Sequence, residues 1–289
     1  MTLRHTAAGR PLGLITLLTV LGAGCSTAPL VDPPVVVAQT TPAPVPELSP
    51  GVPAGYLGRG LPDSLALLPA PPSTGGSAFA NDKAISRAAQ KLRSTPRFAL
   101  AASDADLRFP HVASTFACAL GAPISKEQSP HLYLLLQRTM VDAGLATYAA
   151  KDHYKRTRPF VFYKEATCAP GDEAQLRDDG SFPSGHTTIG WTWALLLTEL
   201  KPGNGDAVLA RGRAFGENRL VCNAHWQSDV LAGRTVAAAT VAMLHADADF
   251  NRDMVLARAE LQMMQASGAA PAGCDAEKAA LAAPLPGLL

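Results

Sequence analysis

Asn218-Arg219-Leu220-Val221-Cys222-Asn223-Ala224-His225-Trp226-Gln227-Ser228-Asp229 carries a guanidinium, an imidazole six residues later and a carboxylate four residues beyond that. Helical geometry from His225 onward would put His225 and Asp229 on one face, one turn apart. A carboxylate in that place accepts the Nδ1 proton of the imidazole, fixes its tautomer and leaves Nε2 with a free lone pair. The histidine is then equipped as a nucleophile or a base. A solvated His–Asp pair on a helix surface has the same spelling, so the assignment depends on what else the chain offers.

Two further clusters supply it. Lys151-Asp152-His153-Tyr154-Lys155-Arg156-Thr157-Arg158-Pro159 closes a long apolar segment. Lys151 and Arg158, two helical turns apart, are expected to project to nearly the same side. A basic helix end also arises simply because cations stabilise the C-terminal carbonyls. Phe182-Pro183-Ser184-Gly185-His186-Thr187-Thr188 passes from loop to helix at Pro-Ser-Gly. Free N–H groups at a helix start favour an anion in front of them. Gly185 permits close approach there, and the Ser184 hydroxyl adds a donor unless it serves only as an N-cap. The chain thus offers Lys151, Arg158 and Arg219 as cations, Ser184 and Gly185 as donors, and His186 with an Asp229-backed His225. That inventory suits a phosphate, whose oxygens forked guanidiniums match in pairs.

Read as K-x6-R-P (Lys151–Pro159), P-S-G-H (Pro183–His186) and R-x5-H-x3-D (Arg219–Asp229), the three clusters resemble the signature of the type 2 phosphatidic acid phosphatase superfamily, shared with vanadium haloperoxidases. Leu61-Pro62-Asp63, Ala150-Lys151-Asp152, Arg158-Pro159-Phe160, Gly190-Trp191 and His225-Trp226-Gln227-Ser228-Asp229 look like one branch, the bacterial class A non-specific acid phosphatases. The resemblance runs over roughly Leu57–Leu261. It departs at Asn218, where the superfamily pattern has Ser; altered affinity rather than lost activity is expected.

The resemblance implies that His225 attacks phosphorus, that Asp229 orients it, and that His186 protonates the leaving alkoxide and later activates water. Lys151, Arg158, Ser184, Gly185 and Arg219 would hold the phosphate oxygens, with no metal and no cofactor. It implies a bell-shaped rate profile on the acid side of neutrality, broad phosphate monoester substrates (nucleotides, sugar or aryl phosphates), a phosphotransferase side activity and a homo-oligomer. A lipid-phosphate phosphatase would need several spanning helices, and the chain after its leader has no uninterrupted apolar run of 18 or more residues. A vanadium haloperoxidase would have a longer chain with further acidic and histidine groups near the site. A non-catalytic phosphate-binding lipoprotein would need the cations but not both histidines.

The 289 residues, 47% of them hydrophobic, suffice for one sizeable core. The formal net charge of +1, which becomes −1 without Arg4 and Arg10, suggests no nucleic-acid partner. Residues 1–24 have the layout of a signal peptide: Arg4 and Arg10, an apolar run Leu12–Leu21, then Gly22-Ala23-Gly24. Export to the periplasm is expected. Cys25 resembles a lipoprotein acceptor site, with an outer-membrane anchor as the alternative to release. Cys118, Cys168, Cys222 and Cys274 are an even number for an oxidising compartment. Order alone favours Cys118–Cys168 and Cys222–Cys274. Without a C-x2-C pair, a thiolate zinc site is not expected.

Residues 25–56 read as a Pro-rich tether, since half of the 24 prolines fall between Pro29 and Pro72. An all-α phosphatase domain is expected over 57–270 and a C-terminal tail over 271–289. Helical periodicity predicts helices over Ala80–Arg93, Asp104–Leu120, Ser129–Tyr154, Thr187–Leu200, Asp206–Cys222, Trp226–Ala246 and Asn251–Gln265, a polar loop over Glu165–Phe182, and no strand. His153 reads as a rim residue, and His111, His131 and His245 as surface or packing. Trp191, Trp193 and Leu195–Leu197 read as core, and Trp226 as a wall of the pocket.

Overall fold

A computed structural model describes residues 41–285, so the expected signal peptide, Cys25 and residues 25–40 of the tether lie outside the described residues. The architecture is helical. Two short strands, β1 (Glu47–Ser49) and β2 (Val52–Pro53), pair antiparallel around Gly51, where no strand was expected. The helices are α1 (Ser64–Leu67), α2 (Ser77–Gln90), α3 (Pro96–Ser103), α4 (Ala117–Leu120), α5 (Pro130–Leu145), α6 (Tyr148–Tyr154) and α7 (Pro159–Tyr163). There follow α8 (Glu173–Asp178), α9 (Gly185–Leu200), α10 (Gly205–Val221), α11 (Gln227–Leu244), α12 (Ala248–Ser267) and α13 (Cys274–Leu281). None among the described residues is long and apolar enough to cross a membrane.

Helix α9 is the centre. It is apolar nearly all round, the mark of a helix with no solvent face, and Trp193, Ala194, Leu196 and Leu197 are fully buried. Helices α10, α11 and α5 pack against it. The close crossings are made by glycines: Gly190 faces Phe215, Gly212 faces Ala194, and Gly216 faces Thr187. A Cβ at Gly233 would stand 2.7 Å from the Ser184 carbonyl, so α11 reaches the start of α9 only because that side chain is absent.

Tertiary partners finish the helix ends. Glu260 of α12 accepts from the backbone N–H groups of His131 and Leu132, both at 2.9 Å, and so caps α5 from outside its own segment. Asp142 of α5 accepts from Tyr56 and Leu57, and Arg138 donates to Ala54, which docks the end of the expected tether on the core. Beyond residue 270, α13 packs on α3 and Glu277 meets Arg211.

Besides the strands and the unexpected helices α1, α3, α7 and α13, three expected segments fold differently. The helix predicted over Asp104–Leu120 is a 3-10 turn (His111–Phe116) followed by α4, because Pro110 has no amide to continue a ladder and Asp104 is held elsewhere. The long helix over Ser129–Tyr154 is two, broken at Ala146–Thr147, where the Thr147 hydroxyl donates to Gly144 O at 2.7 Å. The polar loop contains α8.

The disulfides are Cys118–Cys274 and Cys168–Cys222, not the sequential pairs. Spatial adjacency decides: Cys168 N–H donates to Cys222 O at 3.1 Å across two neighbouring loops. Cys274 opens α13 with its Cα 5.4 Å from that of Cys118.

Candidate active site

Backbone hydrogen bonds sew the three sequence clusters together. Ser181 N donates to Arg156 O at 2.9 Å, Ser184 N to Asp229 O at 3.0 Å, and Phe160 N to Asn223 O at 3.1 Å. The turn that brings His225 back towards α10 runs through Asn223 at φ +63°, a left-handed conformation that Asn tolerates. Ala224 and His225 N–H both donate to Arg219 O, which fixes the histidine beside the arginine of its own motif.

The clusters line a cavity of about 910 Å³. Of the eight expected residues, Lys151, Arg158, Gly185, His186, Arg219 and His225 face it. Ser184 and Asp229, both fully buried, lie behind that wall. Ser184 is the N-cap of α9, accepting from Thr187 N and from the Thr187 hydroxyl at 2.9 Å. A Cβ at Gly185 would meet only Thr147 and Lys151 at 3.9 and 4.0 Å, so its approach face is open.

His225 is 3% exposed. Its Nε2 lies 3.0 Å from Nη1 of Arg158. A guanidinium only donates, so Nε2 holds the lone pair and Nδ1 carries the proton of the neutral ring. Nδ1 is 3.4 Å from Asp229 Oδ2, an electrostatic contact longer than a hydrogen bond. The expected helical spacing is not the cause of this pairing. Helix α11 begins at Gln227, Trp226 is its N-cap, and Asp229 turns back to accept from Trp226 N at 2.8 Å. The capping interaction brings the carboxylate to the histidine.

Lys151 and Arg158 do not share a helix face either. Helix α6 ends at Tyr154, Lys155 is left-handed, and Arg158 is the extended residue before α7. Their side chains nevertheless converge. Lys151 Nζ lies 2.9 Å and Arg158 Nη2 2.8 Å from the same oxygen, Asp179 Oδ2. Lys151 Nζ also donates to Gly180 O, and Arg158 to the carbonyls of Asp179 and Ala224. Arg219 Nη2 donates to Ala101 O and its Nε makes no hydrogen bond.

Burial lowers Lys151, Arg158 and Arg219, and repulsion from Arg158 adds to it at Lys151 and Arg219. Lys151 falls to about 8, through desolvation first and Arg158 second. Arg219 falls to about 10, chiefly through desolvation. His225 and His186 lie well below 6.5, each through burial and then a neighbouring arginine, Arg158 and Arg219 respectively. His186 Nε2 is 3.0 Å from Ala105 O, an acceptor only, so the neutral ring keeps its proton on Nε2 and its lone pair on Nδ1. Burial pushes Asp229 upward, opposed by Arg156.

Sequence reasoning missed Asp179, Arg156 and Asp82. Arg156 bridges two buried carboxylates, donating from Nη1 to Asp229 Oδ1 and from Nη2 to Asp82 Oδ2 at 2.7 Å. Asp82, on α2, also accepts from Ser228 N at 2.9 Å. Asn218 points away from the cavity: it accepts from Arg97 and donates to Asp104 at 2.7 Å, and Asp104 in turn grips Arg211. This network anchors Ala101 and Ala105, whose carbonyls hold Arg219 and His186. Trp226 is not a pocket wall. It is buried edge-on to Phe79 and Phe162 and donates to Thr157 O at 2.8 Å. His153 is exposed, and His111 sits at the cavity mouth. Among the described residues, no His/Cys/Asp/Glu cluster suited to a metal ion occurs.

Residues 132–253 match the PAP2 superfamily model. The chain is 46% identical over 204 residues to a non-specific acid phosphatase of Providencia stuartii, covering 70% of this chain and 82% of the relative. It is 43% identical over 209 residues to an acid phosphatase of Zymomonas mobilis subsp. mobilis, 72% and 79% covered. A non-specific acid phosphatase of Salmonella typhi is 40% identical over 195 residues, 67% and 78% covered. With motifs, fold and relatives in agreement, the chain belongs to the PAP2 superfamily, in the branch of the bacterial non-specific acid phosphatases.

Proposed function

We propose that this protein is an acid phosphatase that hydrolyses phosphate monoesters of broad type through a phosphohistidine on His225, without a metal. One observation carries the reading: the unprotonated Nε2 of His225 stands on a cavity wall beside Lys151, Arg158 and Arg219. Nε2 attacks phosphorus while the P–O ester bond breaks. The leaving alkoxide takes a proton from His186. That proton leaves from Nδ1, since Nε2–H is engaged with Ala105 O. Water then attacks the phosphohistidine, passing a proton to His186 as the P–N bond breaks and inorganic phosphate departs.

Lys151, Arg158, Arg219 and the Gly185 amide, with Ser184 behind it, concentrate positive charge where the transition state gathers negative charge. Those cations would do a metal's electrostatic work. Bound dianionic phosphate would also raise His186 from its depressed resting value and so load the acid. Asp229 would steady the imidazolium as it forms. The cavity leaves room for nucleotide, sugar or aryl leaving groups, with alcohols competing for the phosphoryl group. Export, with either release or an anchor at Cys25, and a homo-oligomer complete this reading.

The test is p-nitrophenyl phosphate hydrolysis from acid to neutral pH with EDTA present, beside His225→Ala. Rapid acid-free quenching with labelled substrate would trap phosphate on His225. Turnover that survives EDTA and vanishes in the variant, with label on the histidine, is expected. Turnover abolished by EDTA, or retained in His225→Ala, would sink the mechanism.

A further inference from the structure

We propose that Asp179 is an internal anion that occupies the phosphate cations at rest and limits how tightly phosphate product and phosphate-like inhibitors are held; this rests on the phosphatase reading. One oxygen, Oδ2, receives both Lys151 Nζ at 2.9 Å and Arg158 Nη2 at 2.8 Å, the two-cation clasp a phosphoryl oxygen would take. The side chain is 27% exposed and lines the cavity, so the carboxylate can leave. Asp179 follows the short helix α8, outside any packed element. Arg219, by contrast, has no carboxylate within ion-pair distance among the described residues. Direct carboxylate contact with the cations is therefore made on the Lys151–Arg158 side, and an incoming dianion must displace that carboxylate or lie against it. Like charges at that range repel strongly inside a protein.

The alternative is that Asp179 merely positions its two cations. Backbone already does that: Gly180 O holds Lys151, and the carbonyls of Asp179 and Ala224 hold Arg158. Removing the charge at constant shape should leave the cations aimed and unopposed. Asp179 then acts as a positioning residue on affinity, through Lys151 and Arg158.

The experiment measures inorganic phosphate and orthovanadate binding by calorimetry, and kcat and KM separately, for wild type, Asp179→Asn and Asp179→Ser. Thermal melts verify that both variants are folded. Phosphate and vanadate are expected to bind about tenfold more tightly in both variants. KM should fall with them, and kcat should stay level or drop as product release slows. Unchanged or weaker binding in folded variants, or a higher KM, would overturn the proposal. Because binding is read without turnover, a wild type that binds phosphate but hydrolyses nothing would defeat the phosphatase reading instead, leaving the affinity comparison to decide for Asp179.

Discussion

Nη1 of Arg158 donates to Nε2 of His225 at 3.0 Å, so at rest the lone pair that the proposed mechanism uses for attack is engaged by a cation that the same mechanism assigns to the substrate. The same contact fixes the tautomer. On the proposed mechanism, substrate phosphate would have to draw Arg158 onto its own oxygens before Nε2 is free, which would couple binding to exposure of the nucleophile. Arg158→Lys should therefore lose more than a charge comparison suggests, because an ammonium cannot fork between the two.

The pH dependence follows from the two depressed histidines. Both lie well below 6.5 when folded. The unfolded chain binds more protons than the native one below its own value near 6.5, so stability falls as pH drops through that region. Thermal melts should show a loss of Tm below about pH 6.5 that saturating phosphate or vanadate reverses. In rate terms, kcat/KM reports the free enzyme, where His186 is protonated only in acid. Its alkaline limb should lie at lower pH than that of kcat, where the bound dianion has raised His186. Coincident limbs would contradict the assignment of His186 as the acid.

Gly185 and Gly180 separate ligand space from protein space. An added methyl at Gly185 meets ordinary contacts at 3.9 and 4.0 Å, so Gly185→Ala should fold normally. Its intrusion would fall on a phosphate bound as proposed, and KM should rise about tenfold or more while Tm stays nearly constant. At Gly180 the added carbon would stand 2.6 Å from Lys151 O and 3.2 Å from Lys155 Cα, both backbone. Gly180→Ala should cost about 1–3 kcal/mol in stability as well as activity. A denaturation curve beside a substrate titration for each variant settles the matter.

How much of this was legible beforehand depended on whether meaning sits within a segment or between segments. Helices α9, α10 and α11 could be read because their apolar periodicity is local, and the motifs because each is a short ordered string. Sequence spacing sets Asp229 beside His225 through a helix face; in the structure a helix cap brings the carboxylate to 3.4 Å from Nδ1. Asp179 reads as an ordinary charge in a polar loop and Arg156 as one more cation of a basic motif, since their partners are supplied only by folding. Asp82 lies 147 positions before Asp229, and nothing in α2 marks it. Cysteine order carried no information on pairing for the same reason.

The two disulfides should separate stability from activity. Cys118–Cys274 spans 156 residues and Cys168–Cys222 spans 54. Loop-closure entropy ranks their removal at about 5 and about 4 kcal/mol respectively, the longer loop costing more. Of the four, Cys168 and Cys222 line the candidate active-site cavity, two positions from Pro170 on one side and three from His225 on the other. Cys118→Ser/Cys274→Ser should melt lower yet keep kcat at low temperature. Cys168→Ser/Cys222→Ser should lose kcat before it unfolds. The opposite ranking in kcat would show that the tie between the two loops does not position His225.

Arg156 offers the sharpest test of how Asp229 is held. Its guanidinium serves two carboxylates buried to 2% exposure or less, Asp82 and Asp229, with one nitrogen each. Arg156→Ala leaves both uncompensated and should cost about 3–5 kcal/mol, with misfolding a real outcome. Arg156→Lys is the informative variant. It keeps one positive charge but cannot bridge both acids, so one carboxylate must turn. If Asp229 turns, the imidazolium that the proposed mechanism forms on His225 would lose its counter-charge, and a misplacement of that size is expected to cost about a hundredfold in kcat. Lys151, Arg158 and Arg219 are untouched, so KM should hold. Asp82→Asn should give a weaker version of the same split, because it loosens Arg156 without removing it. A rise in KM at constant kcat would instead place Arg156 among the phosphate ligands and overturn its role as the brace behind Asp229.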